Sequence, residues 1–203
     1  LPYLVMPYLN GGTLSAYLKS QQTPIPLQLA IEFGRQLAAG VAAAHMKNVV
    51  HRDLKPSNVL LDENGVLRIT DFGLARAVHQ NERPAAKKDE RSAGDLFFGT
   101  PLYMSPEQVS GRPDAVGPLS DVYSLGVLLY KMLTGRTPFT GTDLEVVMAH
   151  SLNLPAPPSA VIPGLDTRLD AICLTALEKK PADRYQSAKA FADALSEYAR
   201  RGG

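Results

Sequence analysis

The residues Val122, Leu125, Val127, Leu128, Leu129, Met132 and Leu133 make one helix that is apolar almost all round. A helix without a polar face has no side to turn toward water, so it belongs at the centre of a domain, sheathed by other elements. With 203 residues, 45% of them apolar, the chain has the material for such a sheath and fits one mid-sized domain or a large piece of a bigger one. Ala30, Phe33, Leu37, Val41 and Ala44 recur at spacings of three and four, which predicts a helix from about Leu27 to Met46 with one buried stripe. Two more helices are expected near Leu169 to Glu178 and Ala188 to Arg200, separated by Pro181 and the polar pair Asp183-Arg184.

Strand signals are few. Pro2 to Leu9 has the apolar and aromatic bias of a strand, and Asn10-Gly11-Gly12 breaks it before a helical stretch from Thr13. Val59-Leu60-Leu61 and Val66-Leu67-Arg68-Ile69 flank Asp62-Glu63-Asn64-Gly65, whose Asn-Gly favours a tight turn, so they read as a small hairpin. From His79 to Gly94 the chain is polar and charged, without apolar periodicity, and reads as a mobile loop. The fold class expected is therefore mainly α with a small β-hairpin, without internal repeat or second domain. Lys and Arg number 21 against 20 Asp and Glu, so no nucleic-acid or anionic-membrane partner is implied. The single cysteine, Cys173, sits in an apolar helical run, which argues against a disulfide framework and for a reducing cytosol. No apolar stretch approaches the roughly 20 residues that span a bilayer.

Chemistry enters at His51-Arg52-Asp53-Leu54-Lys55-Pro56-Ser57-Asn58. An isolated Asp two residues before a Lys would be read as a solvated ion pair. These eight residues together resemble the catalytic loop of the serine/threonine protein kinases. Phosphoryl transfer needs a hydroxyl held in line with phosphorus and neutralisation of the charge on phosphate oxygens. Asp53 would accept a hydrogen bond from the substrate hydroxyl and take its proton late, while the Lys55 ammonium would sit beside the transferring phosphate. Asn58 supplies a neutral oxygen suited to Mg²⁺, a hard cation that keeps water and phosphate oxygens around it. Beyond the hairpin, Thr70-Asp71-Phe72-Gly73 resembles the metal-binding segment of the same family, so Asn58 and Asp71 would share the metal and Phe72 would pack on the ring of His51. The remaining histidines are assigned no site.

The resemblance extends over the whole chain, as a protein-kinase-like C-terminal lobe cut from an α+β two-lobed fold. Gly99 to Gln108 looks like the substrate-docking segment; Ser105, Pro106 and Gln108 also form a capping-box pattern. The resemblance implies that Thr100 bridges Asp53 and Lys55, that Glu107 pairs with Arg184, and that Asp121 anchors the catalytic loop. Leu4 to Leu14 resembles the hinge that receives adenine, with Met6 as gatekeeper, Pro7 and Leu9 presenting backbone groups, Thr13 near the ribose and Leu60 as the floor, although apolar residues there are equally at home in plain core. Residues 1–12 would then be the end of the upper lobe and the hinge, 13–203 the lower lobe, and about 71–107 the activation segment. The Gly-rich loop, strand lysine and partner Glu of the upper lobe would precede Leu1, leaving this stretch alone nearly inactive.

The cofactors implied are ATP and Mg²⁺, with Mn²⁺ as an alternative, and the partners are protein substrates; any dimer would form through the missing upper lobe. Arg52 resembles the arginine that meets a phosphate on the activation loop, and Ser92, the only hydroxyl between Gly73 and Gly99, is the candidate acceptor. The closing segments look like those of bacterial members, so the domain is expected in the cytoplasm and its parent chain, in some cases, tethered to a membrane. A catalytically dead scaffold of the same fold and a small-molecule phosphotransferase of related fold are the alternatives. Filled positions at Asp53, Lys55, Asn58 and Asp71 argue against the first, and the docking segment against the second.

Overall fold

The helix that is apolar all round runs from Pro118 to Thr134, and every residue from Ser120 onward except Lys131 is buried. The computed structural model describes residues 9–21, 24–72 and 101–202. In chain order its elements are α1 (Leu14–Ser20), α2 (Leu27–His45), β1 (Val59–Leu61), β2 (Leu67–Ile69), α3 (Pro106–Val109), α4 (Pro118–Thr134), α5 (Asp143–Leu152), α6 (Pro158–Val161), α7 (Arg168–Ala176) and α8 (Ala188–Arg200). Single 3-10 turns occupy Pro56–Asn58, Pro101–Tyr103, Pro113–Ala115 and Pro181–Asp183. Among the described residues no helix is long and apolar enough to cross a membrane.

The sheath around α4 consists of α2, α6, α7, α8 and the turn at Pro101–Tyr103. Helix α2 turns Ala30, Phe33, Gly34, Leu37, Ala38 and Val41 inward, the stripe its spacing predicts, and α8 contributes Ala188, Phe191, Leu195 and Tyr198. At the crossing of α4 and α7 the helices touch at Gly126, where a Cβ would lie 2.8 Å from that of Ala176; only glycine fits without displacement. Cys173 lies in this contact, fully buried, and burial pushes its thiol well above the ordinary range, which makes it a packing group without nucleophilic character.

The hairpin is antiparallel, with Val59 opposite Ile69, Leu60 opposite Arg68 and Leu61 opposite Leu67. Its second strand begins at Leu67, one residue later than expected. Asp62 explains the shift: its Oδ1 accepts from Asn64 N (3.0 Å) and Val66 N (2.9 Å), which folds Val66 into the loop. Gln36 of α2 then receives Leu67 N at 2.9 Å, fixing the hairpin to the helical body. On the other edge of β1, Gly11 N donates to Leu61 O (3.2 Å), Leu61 N to Gly12 O (2.9 Å), and Thr13 bridges Leu60. This close approach demands glycine, because a Cβ at Gly11 would stand 2.6 Å from Leu61 O. The expected strand Pro2 to Leu9, apart from Leu9, and the polar loop from His79 to Gly94 lie outside the described residues.

Candidate active site

The loop from His51 to Asn58 gains its shape from a carboxylate beneath it. Asp121, in the first turn of α4 and 1% exposed, accepts His51 N at Oδ2 and Arg52 N at Oδ1, both at 2.8 Å. Arg52 has φ +69°, an uncommon conformation for a residue with a side chain, costing about 1–3 kcal/mol unless its surroundings impose it. The two bonds to Asp121 impose it from below, and Gln108 of α3 donates to Arg52 O at 2.6 Å from the other side. The Arg52 backbone is thus pinned at both faces, and Asp53, the next residue, is aimed by it.

Around Asp53 the polar groups divide cleanly. Lys55 Nζ lies 2.7 Å from its Oδ2, and Asn58 Nδ2 donates both to Oδ2 (3.1 Å) and to the Asp53 carbonyl (2.8 Å). Among the described residues these contacts use one carboxylate oxygen, and the half-exposed side chain keeps Oδ1 for another donor. The same bonds orient Asn58: with its NH₂ engaged by Asp53, its carbonyl oxygen, which accepts only a long 3.4 Å bond from Ser57 Oγ among the described residues, keeps a lone pair to coordinate. The ladder continues one step past β1 and β2, because Thr70 N donates to Asn58 O at 2.9 Å, and Thr70 Oγ1 reaches both Asn58 O (3.2 Å) and Asp71 Oδ2 (3.4 Å). Asn58 and Asp71 are therefore tied through one threonine. Asp71 also has positive φ, +62°.

His51 is buried, with both ring nitrogens engaged by the backbone. Its Nδ1 accepts from Asp53 N (3.3 Å), so the proton resides on Nε2 and is donated to Thr70 O (2.9 Å). Phe72 packs against the ring at a tilt of 55° with centroids 4.8 Å apart, joining the two motifs mechanically.

Further support comes from Glu107 and Arg184, 77 residues apart and joined by two 2.8 Å bonds, with side chains 7% and 0% exposed. The remaining Arg184 donors go to the carbonyls of Leu119, Glu178 and Lys179, which satisfies all five N–H groups. Burial opposes ionisation of Glu107, but the Arg184 and Ser120 bonds outweigh it and hold the carboxyl below its ordinary range. Ser105 N donates to Gln108 Oε1 at 3.0 Å, so α3 has the expected capping box while the amide nitrogen of the same Gln108 side chain holds Arg52.

A family model described as protein kinase domain matches residues 2–195. The chain belongs to the protein kinase family. It is 41% identical over 199 residues to the serine/threonine-protein kinase Pkn1 of Myxococcus xanthus, covering 96% of this chain and 27% of that protein. It is 41% identical over 191 residues to PknL of Mycobacterium tuberculosis, covering 94% of this chain and 45% of the relative, and 39% identical over 189 residues to PknB of Mycobacterium leprae, covering 93% and 29%. The chain thus spans less than half the length of these kinases.

Of the residues expected from sequence, Asp53, Lys55 and Asn58 meet directly, Thr70 links Asn58 to Asp71, and Arg52 precedes Asp53 in the chain. Leu60 is half-buried and faces away from the core that takes Val59 and Leu61, while Thr13 bridges it and caps α1 by accepting Ala16 N at 3.0 Å. Leu9 is half-buried just before the Gly11 contact. Met6, Pro7, Ser92 and Thr100 lie outside the described residues. Two participants escaped the sequence reading. Gln108 was read only as a cap, and His45 was given no role, yet its Nε2 lies 2.8 Å from Asp121 Oδ2. The signal for His45 was its position: four residues after Val41, it continues the buried stripe of α2 with a polar side chain, which requires a buried partner.

Proposed function

We propose that the protein transfers the γ-phosphate of ATP to serine and threonine hydroxyls of protein substrates, and that these residues form the lower lobe and hinge edge of its kinase domain. The observation that carries this reading is the asymmetric use of Asp53: Lys55 and Asn58 occupy Oδ2, and Oδ1 remains for a substrate hydroxyl. A hydroxyl bonded there is oriented toward phosphorus and loses its proton to the carboxylate late in the reaction. Lys55, already beside Asp53, neutralises charge on the transferring group.

Mg²⁺, or Mn²⁺ in its place, would be held by Asn58 Oδ1 and Asp71, whose separation is governed by Thr70. The donor set suits a hard cation that takes one or two protein oxygens and completes its shell with phosphate and water. When bound, the ion offsets phosphate charge; the protein's part is to keep both ligands beside Asp53. Leu60 would floor the adenine, with Met6, Pro7, Leu9 and Thr13 along its edge.

Arg52 Nε is buried and has no hydrogen-bond partner among the described residues, which supports a receptor role toward an anion of the activation segment, for which Ser92 is the candidate once phosphorylated. We place the domain in the cytoplasm, where a buried, unpaired cysteine is at home. The test is incubation of the full-length protein with labelled ATP, Mg²⁺ and a protein substrate, followed by phosphoamino-acid analysis. Label in phosphoserine or phosphothreonine is expected; label confined to a small molecule, or to tyrosine, contradicts the reading.

A further inference from the structure

The Asp53 geometry depends on Asp121, and Asp121 is itself held from behind. His45 is the last residue of α2, its side chain 12% exposed, and its Nε2 meets Asp121 Oδ2 at 2.8 Å. The same Oδ2 receives His51 N, and Oδ1 receives Arg52 N. Because a carboxylate only accepts here, Nε2 carries the proton and donates it. One buried side chain therefore gathers three donors: two from the strained peptide run before Asp53 and one from a different helix.

We propose that His45 is a positioning residue for phosphoryl transfer, acting through Asp121 to hold the Arg52 peptide in its left-handed conformation and so to aim Asp53. The proposal rests on the kinase reading above. Its physical basis is the satisfaction of a buried acceptor. Without the imidazole donor, Oδ2 of a carboxylate 1% exposed keeps an unfilled lone pair inside the protein. The carboxylate then has two ways to relax. It turns toward another donor, or it takes a proton, which converts one acceptor oxygen into a donor. Each way breaks one of the two amide bonds that offset the cost of φ +69° at Arg52. Gln108 still grips the Arg52 carbonyl from the opposite side, so the loop stays in place but loses its fixed orientation. The expected lesion falls on the chemical step and spares the nucleotide contacts, since the bonds of His45 and Asp121 run to each other and to the His51 and Arg52 amides.

The test uses the full-length kinase with three substitutions. His45→Leu removes the donor. His45→Gln supplies an amide N–H at the reach of Nε2. His45→Asn supplies one only at the reach of Nδ1, and serves as the polar substitute should the leucine variant not fold. We expect His45→Leu and His45→Asn to lower kcat roughly 10- to 100-fold with KM for ATP within about twofold, and His45→Gln to recover kcat to within about threefold. Hydrogen exchange at the amides of His51 and Arg52 should accelerate in the first two variants and stay slow in the third. Wild-type kcat and slow exchange in a folded His45→Leu or His45→Asn, or a glutamine variant no better than asparagine, overturns the proposal. If the wild type itself transfers no phosphate, the kinase reading fails separately, and unchanged exchange at the two amides still overturns the positioning role.

Discussion

Replacing Arg184 with leucine should destabilise the protein more than any surface change, because it strands a charge. Glu107 is 7% exposed and has no other cationic partner among the described residues; after Arg184→Leu it keeps only Ser120, which donates from 2.7 Å. Three backbone carbonyls, of Leu119, Glu178 and Lys179, lose the guanidinium as well. Removing one partner of a buried pair costs about 3–5 kcal/mol, whereas replacing both with apolar groups costs far less. At roughly 2–4 °C per kcal/mol for a domain of this size, the single substitution should lower Tm by roughly 6–20 °C. The double variant Arg184→Leu/Glu107→Leu should recover a large part of that loss in urea or thermal unfolding followed by circular dichroism. The pH dependence gives an independent check. In the wild type the Glu107 carboxyl is depressed, so its contribution is complete above the ordinary value of 4.5 and is lost as pH falls through the folded value. In Arg184→Leu burial, the largest influence, is opposed by the Ser120 and backbone bonds without the guanidinium, so the carboxyl should rise, this group's contribution should reverse sign, and acidification through its range should become stabilising. A loss below about 1 kcal/mol for the single variant, or a double variant less stable than the single, refutes the reasoning.

Gly11→Ala should cost about 1–3 kcal/mol in urea unfolding and raise KM for ATP, because the new Cβ meets the Leu61 carbonyl at 2.6 Å. Asn58→Ala should raise the half-saturating Mg²⁺ concentration roughly tenfold or more, read from initial rates at fixed ATP. His150 is fully buried, and burial, reinforced by the charge of Lys179, lowers its pKa from 6.5 to about 4. Its neutral form is the folded one, so stability from this site is complete above pH 6.5 and falls toward pH 4, by up to about 3 kcal/mol. The His150→Phe variant should flatten that part of the stability profile in unfolding titrations.

What could be read from sequence follows from how local each signal is. The α4 helix was visible because seven apolar residues on every side of one helix admit only a central position, and the α2 stripe because its spacing is strictly helical. The hairpin was visible, but its register at Val66 was not, since it depends on Asp62 accepting two backbone amides across its own loop. Asp53, Lys55, Asn58 and Asp71 are legible as a motif because their chemistry is carried within 19 residues of chain. His45 and Gln108 were not legible as partners of the loop: their contacts reach Asp121, 76 residues away, and the Arg52 carbonyl, 56 residues away. A pattern along the chain reports which face is buried, but not which buried polar groups meet.

The central claim is that Asp53 orients the attacking hydroxyl. Asp53→Asn keeps the shape and the neighbours of this side chain while removing the charge that accepts the proton. With protein substrate, ATP and Mg²⁺, the full-length variant should show kcat lowered by roughly 10²–10⁴-fold, with Tm and KM for ATP close to the wild type. A folded Asp53→Asn protein that phosphorylates its substrate at the wild-type rate contradicts the account.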